Sequence, residues 1–363
     1  MAPEQTAREP FFSTKSHERL SGASMHQPLR LRCDEAALAA NYRSLQTRAG
    51  AQAGAAIKAN AYGLGAAGAA RALWNEGCRD FFVSTYWEAA ELAFLPTGSI
   101  SVLHGIGPTD EPLPGVRPVL ISVEQIARWK SRGGPAQPCD VMIDTGMNRL
   151  GITREEIGAL DGLTIHTLHS HLACADEEHP LNAAQLSRFR AASDSIPAQR
   201  YSLANSAGIF LGRDYAFDLV RPGLALYGGI PRSEARSTIK PVLSLEAQVV
   251  QVRRVRSGES VGYNATFVAP SDMSVAIINV GYADGYRRHF SSLGKATFGG
   301  AELPVIGRVS MDLVALDAGV ASEIGEGDWV TLDFDLERSA ALTGQSQYEL
   351  LTGLGRRYQR IWS

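Results

Sequence analysis

The sequence has 363 residues, 45% of them hydrophobic, and a formal net charge of −3; this suits two globular domains with substantial cores and argues against a disordered chain. Acidic and basic residues are mixed throughout, which excludes an extended electrostatic face for nucleic acid or anionic lipid. Cys33, Cys78, Cys139 and Cys174 form no CxxC pair, so free thiols in a reducing, cytoplasmic setting are expected.

Residues 1–27 carry Arg8, Lys15 and Arg19 beside Glu4, Glu9 and Glu18, with neither the apolar stretch of a signal peptide nor a membrane-length apolar span. They read as a disordered N-terminal extension. Pro28 to Cys33 alternates in polarity, and residues 28–34 are expected to add a strand to a C-terminal β domain. From 35 to 238, short apolar runs alternate with helical patterns. The runs are Ala55 to Ile57, Asp80 to Ser84, Ile100 to His104, Arg117 to Ile121, Cys139 to Asp144, Leu163 to His169, Arg200 to Ala204 and Phe217 to Arg221. Glu35 to Ala49 precedes the first run, and Ala66 to Glu76, Trp87 to Leu95, Val123 to Arg132 and Asn182 to Ser193 lie between runs. Eight such βα units predict an α/β fold, a (β/α)8 TIM barrel over residues 35–238. After Pro241 the period becomes two, as in Met273 to Val280 and Asp328 to Phe334, with glycine turns between. Residues 239–363 are therefore expected to form a mostly-β domain.

In a barrel the loops after the strands carry the chemistry. Lys58 follows the first run, where Ala55-Ala56-Ile57 gives way to Lys58-Ala59-Asn60-Ala61-Tyr62-Gly63-Leu64-Gly65. An amine at the mouth of a buried strand loses solvation as a cation, so a neutral nucleophile becomes available; the plainer alternative is a snorkelling lysine. Asp144-Thr145-Gly146-Met147-Asn148-Arg149-Leu150-Gly151 puts an arginine in a glycine-bearing rim loop, suited to clamping a carboxylate. Ala204-Asn205-Ser206-Ala207-Gly208 and Arg221-Pro222-Gly223-Leu224 offer a hydroxyl and exposed backbone amides for phosphate. A rim lysine, a phosphate cradle and a strand-end arginine together describe a pyridoxal phosphate site.

These segments resemble the alanine racemase family. His171-Leu172-Ala173-Cys174-Ala175-Asp176, Arg221 to Gly228, Gly281-Tyr282-Ala283-Asp284-Gly285 and Gly307-Arg308-Val309-Ser310-Met311-Asp312 continue the likeness in order. It covers nearly the whole chain after residue 27. The resemblance implies a fold-type III pyridoxal 5'-phosphate enzyme, a homodimer whose sites combine both subunits, converting L-alanine to D-alanine for peptidoglycan. By matching motif, Lys58 holds the cofactor and is one base, and Tyr263 of the partner subunit is the other. Tyr62, Ser206, Gly223 and Leu224 would hold the phosphate and Arg221 the pyridine nitrogen. His171, Asn205 and Tyr227 would surround the cofactor, while Arg149, Met311, Tyr282 and Asp312 would serve the substrate.

Residue chemistry agrees with that assignment. Inverting a carbon requires a proton to leave one face and return to the other, which two different groups on opposite faces perform well. An unperturbed phenol titrates near ~10, so a tyrosine base needs a neighbouring cation, and the cofactor site or His171 is an expected source. Arginine does not readily release a proton to the ring nitrogen, which favours racemisation over transamination. His104, His166, His169 and His179 have no metal-ligand spacing and are read as satisfied or surface histidines; no metal is expected.

Three positions depart from the family pattern. Met142 stands where many relatives carry a carbamylated lysine that steadies the arginine, so Arg149 needs other support. Ser310 replaces a common cysteine. Arg356 falls where some relatives have a phosphate-contacting tyrosine, a contact that Arg356 or Tyr358 is expected to replace if it is kept. The rival readings are a broad-specificity or serine racemase, a pyridoxal phosphate-dependent decarboxylase, and a non-enzymatic cofactor carrier.

Overall fold

The computed structural model describes residues 26–133 and 137–363. The expected disordered extension lies outside the described residues, apart from its last two positions. The first strand, β1 (Leu29–Cys33), leads into helix α1 (Glu35–Ala49). Asp34 caps α1 by accepting the Ala37 N–H at 2.8 Å, and Gly50 ends it in the left-handed conformation with φ 67°.

The barrel is built from β2 (Gln52–Ala53), β3 (Ala55–Ala56), β4 (Phe81–Val83), β5 (Ile100–Val102), β6 (Val116–Leu120), β7 (Cys139–Met142), β8 (Ile165–His169), β9 (Arg200–Ser202) and β10 (Leu219–Val220). All neighbours pair in parallel from β3 to β9, and β10 pairs with β2. β2 and β3 form one barrel staple broken at Gly54, where a Cβ would press on Asp80 O and the Phe82 ring at 2.8 Å. The ring closes through Gly54 N to Val220 O and Ala56 N to Pro222 O, both 2.9 Å, and through Arg221 N to Ala204 O at 2.9 Å. All eight expected runs thus supply barrel strands.

The outer layer is less regular than the alternation predicts. A 3-10 helix, Arg154–Leu160, follows β7, the four-residue helix Gly208–Leu211 and the 3-10 turn Arg213–Tyr215 follow β9, and the 3-10 helix Leu224–Tyr227 follows β10. Helix α1 covers that last gap. Buried Asn41 donates to Leu226 O at 3.2 Å and Lys240 O at 2.9 Å and accepts from Lys240 N at 2.8 Å.

The second domain contains β11 (Leu243–Val255), β12 (Ser260–Val261), β13 (Phe267–Val268), β14 (Met273–Ile278), β15 (Lys295–Phe298), β16 (Ala301–Ile306), β17 (Val314–Asp317), β18 (Trp329–Leu332) and β19 (Gln359–Trp362). Its main sheet runs β14-β17-β16-β15-β18-β11-β1-β19, and a further β14 to β11 pairing closes it. The long β11 reaches both partners because a bulge between Val249 and Gln251 bends it. β1 pairs antiparallel with β11 and parallel with β19. The period-two reading missed two helices, Leu336–Thr343 and Gln347–Thr352. One continuous core joins the domains, from Leu31 and Ile57 to Leu332 and Leu351. Among the described residues no helix is long and apolar enough to cross a membrane.

Candidate active site

A cavity of about 550 Å³ opens at the carboxyl ends of the barrel strands. Lys58, Tyr62, Arg149, His171, Asn205, Ser206, Arg221, Gly223 and Leu224 all line it. Residues from strand ends far apart in sequence therefore converge on one space.

Lys58 begins an unusual turn. Ala59, Asn60, Ala61 and Tyr62 have φ of 51, 55, 52 and 53°, a left-handed turn that costs roughly 1–2 kcal/mol per non-glycine residue. Such a conformation persists only when its surroundings over-determine it. Here Glu88 Oε1 accepts the Ala59 N–H at 2.7 Å, Asn60 Oδ1 accepts the Ala66 N–H at 2.7 Å, and Arg360 Nε donates to Gly63 O at 2.8 Å. Burial lowers the Lys58 pKa, the charges of Arg149 and Arg221 lower it further, and Glu88 opposes them. The amine therefore has the depressed basicity expected of it.

The residues of the expected cradle line the same cavity. Ser206 is buried, and its Oγ accepts the N–H groups of Gly223 at 2.9 Å and Ala225 at 3.2 Å. Its own proton is left to donate to an anion. A Cβ at Gly223 would collide with the Tyr62 hydroxyl, so glycine lets that phenol stand over the cradle. Tyr227 stands behind the cavity wall rather than in it, which corrects its expected role: its hydroxyl donates to Ala56 O at 2.9 Å and its ring packs on Tyr62 at 5.2 Å.

Arg149 sits in a loop tied at both ends. Asp144 Oδ1 accepts the N–H groups of Gly146 at 2.7 Å and Met147 at 2.9 Å, and Ile152 N donates back to Met142 O at 2.9 Å. Thr145 meets the Ser170 hydroxyl at 2.8 Å and accepts from Gln185 Nε2 at 3.2 Å. The Arg149 guanidinium has no hydrogen-bond partner among the described residues, so the loop backbone alone places it. Buried Met142 lines the cavity without supplying a polar group to steady it.

Arg221 is buried, and both its terminal nitrogens are engaged. Nη2 donates to Ser170 O at 2.6 Å, while Nη1 donates to Ser202 O at 2.9 Å, to the Ser202 hydroxyl, and toward His169 Nδ1 at 3.3 Å. Burial lowers its pKa to about 10. His169 is fully buried at this arginine, not a surface residue. Asn205 turns its Oδ1 to the Gly208 N–H at 2.9 Å. Burial pushes the His171 pKa down to about 3, reinforced by the charges of Arg221, Arg149 and Lys58. An uncharged His171 is not the cation expected to acidify a tyrosine.

Within one chain the C-terminal motifs do not reach this cavity. Tyr263, 65% exposed, lines a second one of about 580 Å³ with Arg308 and Ser310. Met311 is 53% exposed. Gly281 packs so closely on the Met311 and Asp312 backbone that a Cβ would clash, and Ala283 N donates to Met311 O at 3.1 Å. Asp312 Oδ1 accepts from Arg357 Nη1 at 2.7 Å, and Tyr282 lies in the same turn.

Neither Arg356 nor Tyr358 lines the Lys58 cavity. Tyr348 does, together with Thr352, from the helix that the period-two reading missed. Its ring lies 5.9 Å from that of Tyr62. Gln347 locks this helix over the barrel, donating to Ile230 O at 2.9 Å and accepting from Ile230 N at 2.8 Å. The signal was legible: Ser346 and Glu349 form a capping box at the helix start.

A barrel whose cavity gathers a lysine, a serine hydroxyl and a buried arginine, joined to a β domain, defines a cofactor-dependent amino acid enzyme class. The family model "Alanine racemase, N-terminal domain" matches residues 33–231 and "Alanine racemase, C-terminal domain" matches residues 242–362. The chain belongs to the alanine racemase family. An alanine racemase of Acidiphilium cryptum is 43% identical over 91% of this chain and 98% of its own length. A catabolic alanine racemase of Agrobacterium fabrum is also 43% identical, over 94% of this chain and 92% of its own. Among solved structures, alanine racemase from Bartonella henselae with covalently bound pyridoxal phosphate superposes with a TM-score of 0.84 at 36% identity, covering 93% of this chain and 100% of that one.

Proposed function

We propose that this protein interconverts L-alanine and D-alanine with pyridoxal 5'-phosphate, using two bases drawn from two copies of the chain. The observation that carries the reading is the meeting of Lys58, the Ser206 and Gly223 cradle, and Arg221 in one cavity. Its donor set fits the cofactor. Hydroxyls of Ser206, Tyr62 and Tyr348 with the Leu224 N–H suit a phosphate, and Arg221 Nε suits an acceptor nitrogen on a ring. When bound, pyridoxal phosphate supplies an electron-accepting ring that acidifies the α-hydrogen of an attached amino acid.

The chain's own groups do the rest. Lys58, with its lowered pKa, is suited to accept and return the proton on one face at neutral pH. Tyr263 of the partner subunit serves the other face, which accounts for so exposed a phenol beside an open cavity. Arg149 clamps the substrate carboxylate, and the Met311 amide of the partner subunit completes that contact. Two copies of this chain thus form the working unit.

Purified protein supplied with pyridoxal phosphate and L-alanine in deuterium oxide should yield D-alanine carrying deuterium at the α-carbon. Chiral chromatography and mass spectrometry read both. A run over a panel of L-amino acids separates alanine from serine or broad specificity; loss of the carboxylate as carbon dioxide, or no turnover, would remove the reading.

A further inference from the structure

Behind Arg221 lies a line of buried polar side chains that the two-base scheme leaves unused. Arg221 Nη1 points a proton at His169 Nδ1, 3.3 Å away, so that nitrogen must hold the lone pair. The ring proton is then on Nε2. That atom is buried, has no hydrogen-bond partner closer than 3.5 Å, and faces Asp140 Oδ2 at 3.6 Å. Asp140 is itself buried, accepting from Ser101 Oγ at 2.6 Å and Thr167 N at 3.1 Å, with Arg117 Nε 3.4 Å from it. Arg117 continues to Asp80 at 3.7 Å and Asp80 to Arg200 at 2.5 Å. Charges alternate along this line through the barrel, and His169 is the uncharged link before the cavity.

We propose that His169 is a positioning residue for Arg221, its tautomer fixed by Asp140, and that the pair turns the guanidinium so that Nε faces the cavity. The terminal nitrogens are spent on His169, Ser170 and Ser202, which leaves Nε as the donor with no protein partner among the described residues. Its use by a ring nitrogen rests on the reading that the cavity takes pyridoxal phosphate. Burial and the nearby Arg221 and Arg117 keep His169 from gaining a charge; its pKa is pushed down to about 4. A doubly protonated ring would point a second N–H at Arg221 and break the arrangement. The competing account is that His169 only fills the barrel, edge-on to Phe82 at 5.7 Å.

Two measurements decide. Protein labelled with ¹⁵N-histidine, the His169 signals assigned by their loss in His169→Asn, should show at neutral pH an unprotonated Nδ1 and a protonated Nε2. A proton on Nδ1, or on both nitrogens, overturns the proposal without reference to any cofactor. In the second arm pyridoxal phosphate is titrated into cofactor-free protein and followed by its visible absorbance. His169→Phe keeps the volume but no acceptor and should bind at least tenfold more weakly than wild type, whereas His169→Asn keeps an acceptor near Nδ1 and should lose much less. Equal affinities in all three proteins overturn the positioning role. Failure of the wild type itself to bind would instead sink the cofactor reading, and the tautomer measurement would then decide the rest.

Discussion

Arg357 and Asp284 are joined by two parallel hydrogen bonds, Nε to Oδ1 and Nη2 to Oδ2, each 2.6 Å long. The carboxylate is fully buried, and the same guanidinium reaches Asp312 Oδ1 at 2.7 Å. One side chain near the end of the sequence thereby fastens two loops, Gly281 to Gly285 and Gly307 to Asp312, to each other.

Arg357→Ala should leave Asp284 buried without its cation and cost about 3 kcal/mol, the low end of the range for breaking a buried pair because solvent reaches the arginine. Asp312→Asn removes only the half-exposed arm and should cost under ~1 kcal/mol. Urea unfolding of the two variants compares them. Equal costs would show that the buried pair carries no special weight.

The proposed sharing of sites between two copies has a sharp consequence. Lys58→Ala and Tyr263→Phe should each lose racemase activity, and Lys58→Ala should also lose the visible absorbance of its bound cofactor. Mixing the two after dissociation and reassociation should restore part of the activity, because one mixed dimer contains one site with both native groups. Activity that stays absent in the mixture would place Lys58 and Tyr263 at different sites or within a single chain's chemistry.

Tyr348 should matter for holding the cofactor more than for the proton transfers. Tyr348→Phe removes one hydroxyl from the cavity and should weaken pyridoxal phosphate binding about tenfold, corresponding to ~1.4 kcal/mol. Gln347→Ala, which frees the helix from Ile230, should weaken it in the same direction. Fluorescence titration of cofactor-free protein reports both, and an unchanged affinity would dismiss Tyr348 as a cofactor contact.

Acid stability follows from His169. A histidine in the unfolded chain titrates near ~6.5, whereas His169 in the fold is pushed down to about 4 by burial. Between these values the unfolded chain binds a proton that the folded chain refuses, so stability must fall as pH drops through that window, by up to about 1.4 kcal/mol per pH unit. Asp140 acts in the same direction, at lower pH. Its pKa is held well below the usual carboxylate range: burial would raise it, but the neighbouring imidazoles of His166 and His169 and the charge of Arg117 outweigh that. Its stabilisation is therefore complete above ~3.9 and fades only below that. His169→Gln should flatten the dependence of unfolding free energy on pH between 6.5 and 4.5, and an unaltered slope would mean that His169 already takes up its proton in the fold.

Much of this arrangement was legible along the chain because barrel strands and strand-end loops are local features. The runs from Ala55 to Arg221 and the change of period near Pro241 came from hydrophobic spacing alone. Lys58, Arg149, Ser206 and Arg221 could be picked out because each follows a strand, and strand ends in a barrel share one rim. The clamp and the cradle were readable from residue types at those loops, whereas the pairing of Lys58 with Tyr263 as two bases came from the family likeness. Tyr348 escaped notice because six helical residues after a capping box leave little periodicity to read in a domain otherwise alternating at two.

The sequence by itself determined which residue types stand at the rim and the order in which they arrive, since local pattern and motif require no knowledge of distance. Tertiary structure alone decided that His169 touches Arg221, that Tyr227 backs the wall instead of lining it, and that Gln347 carries Tyr348 over the barrel. Each of these depends on contacts between segments far apart in the chain. Whether a side chain ends in the cavity or behind it turns on the pleat of a strand and the close approach allowed by glycines such as Gly54 and Gly223, which only the packed whole establishes.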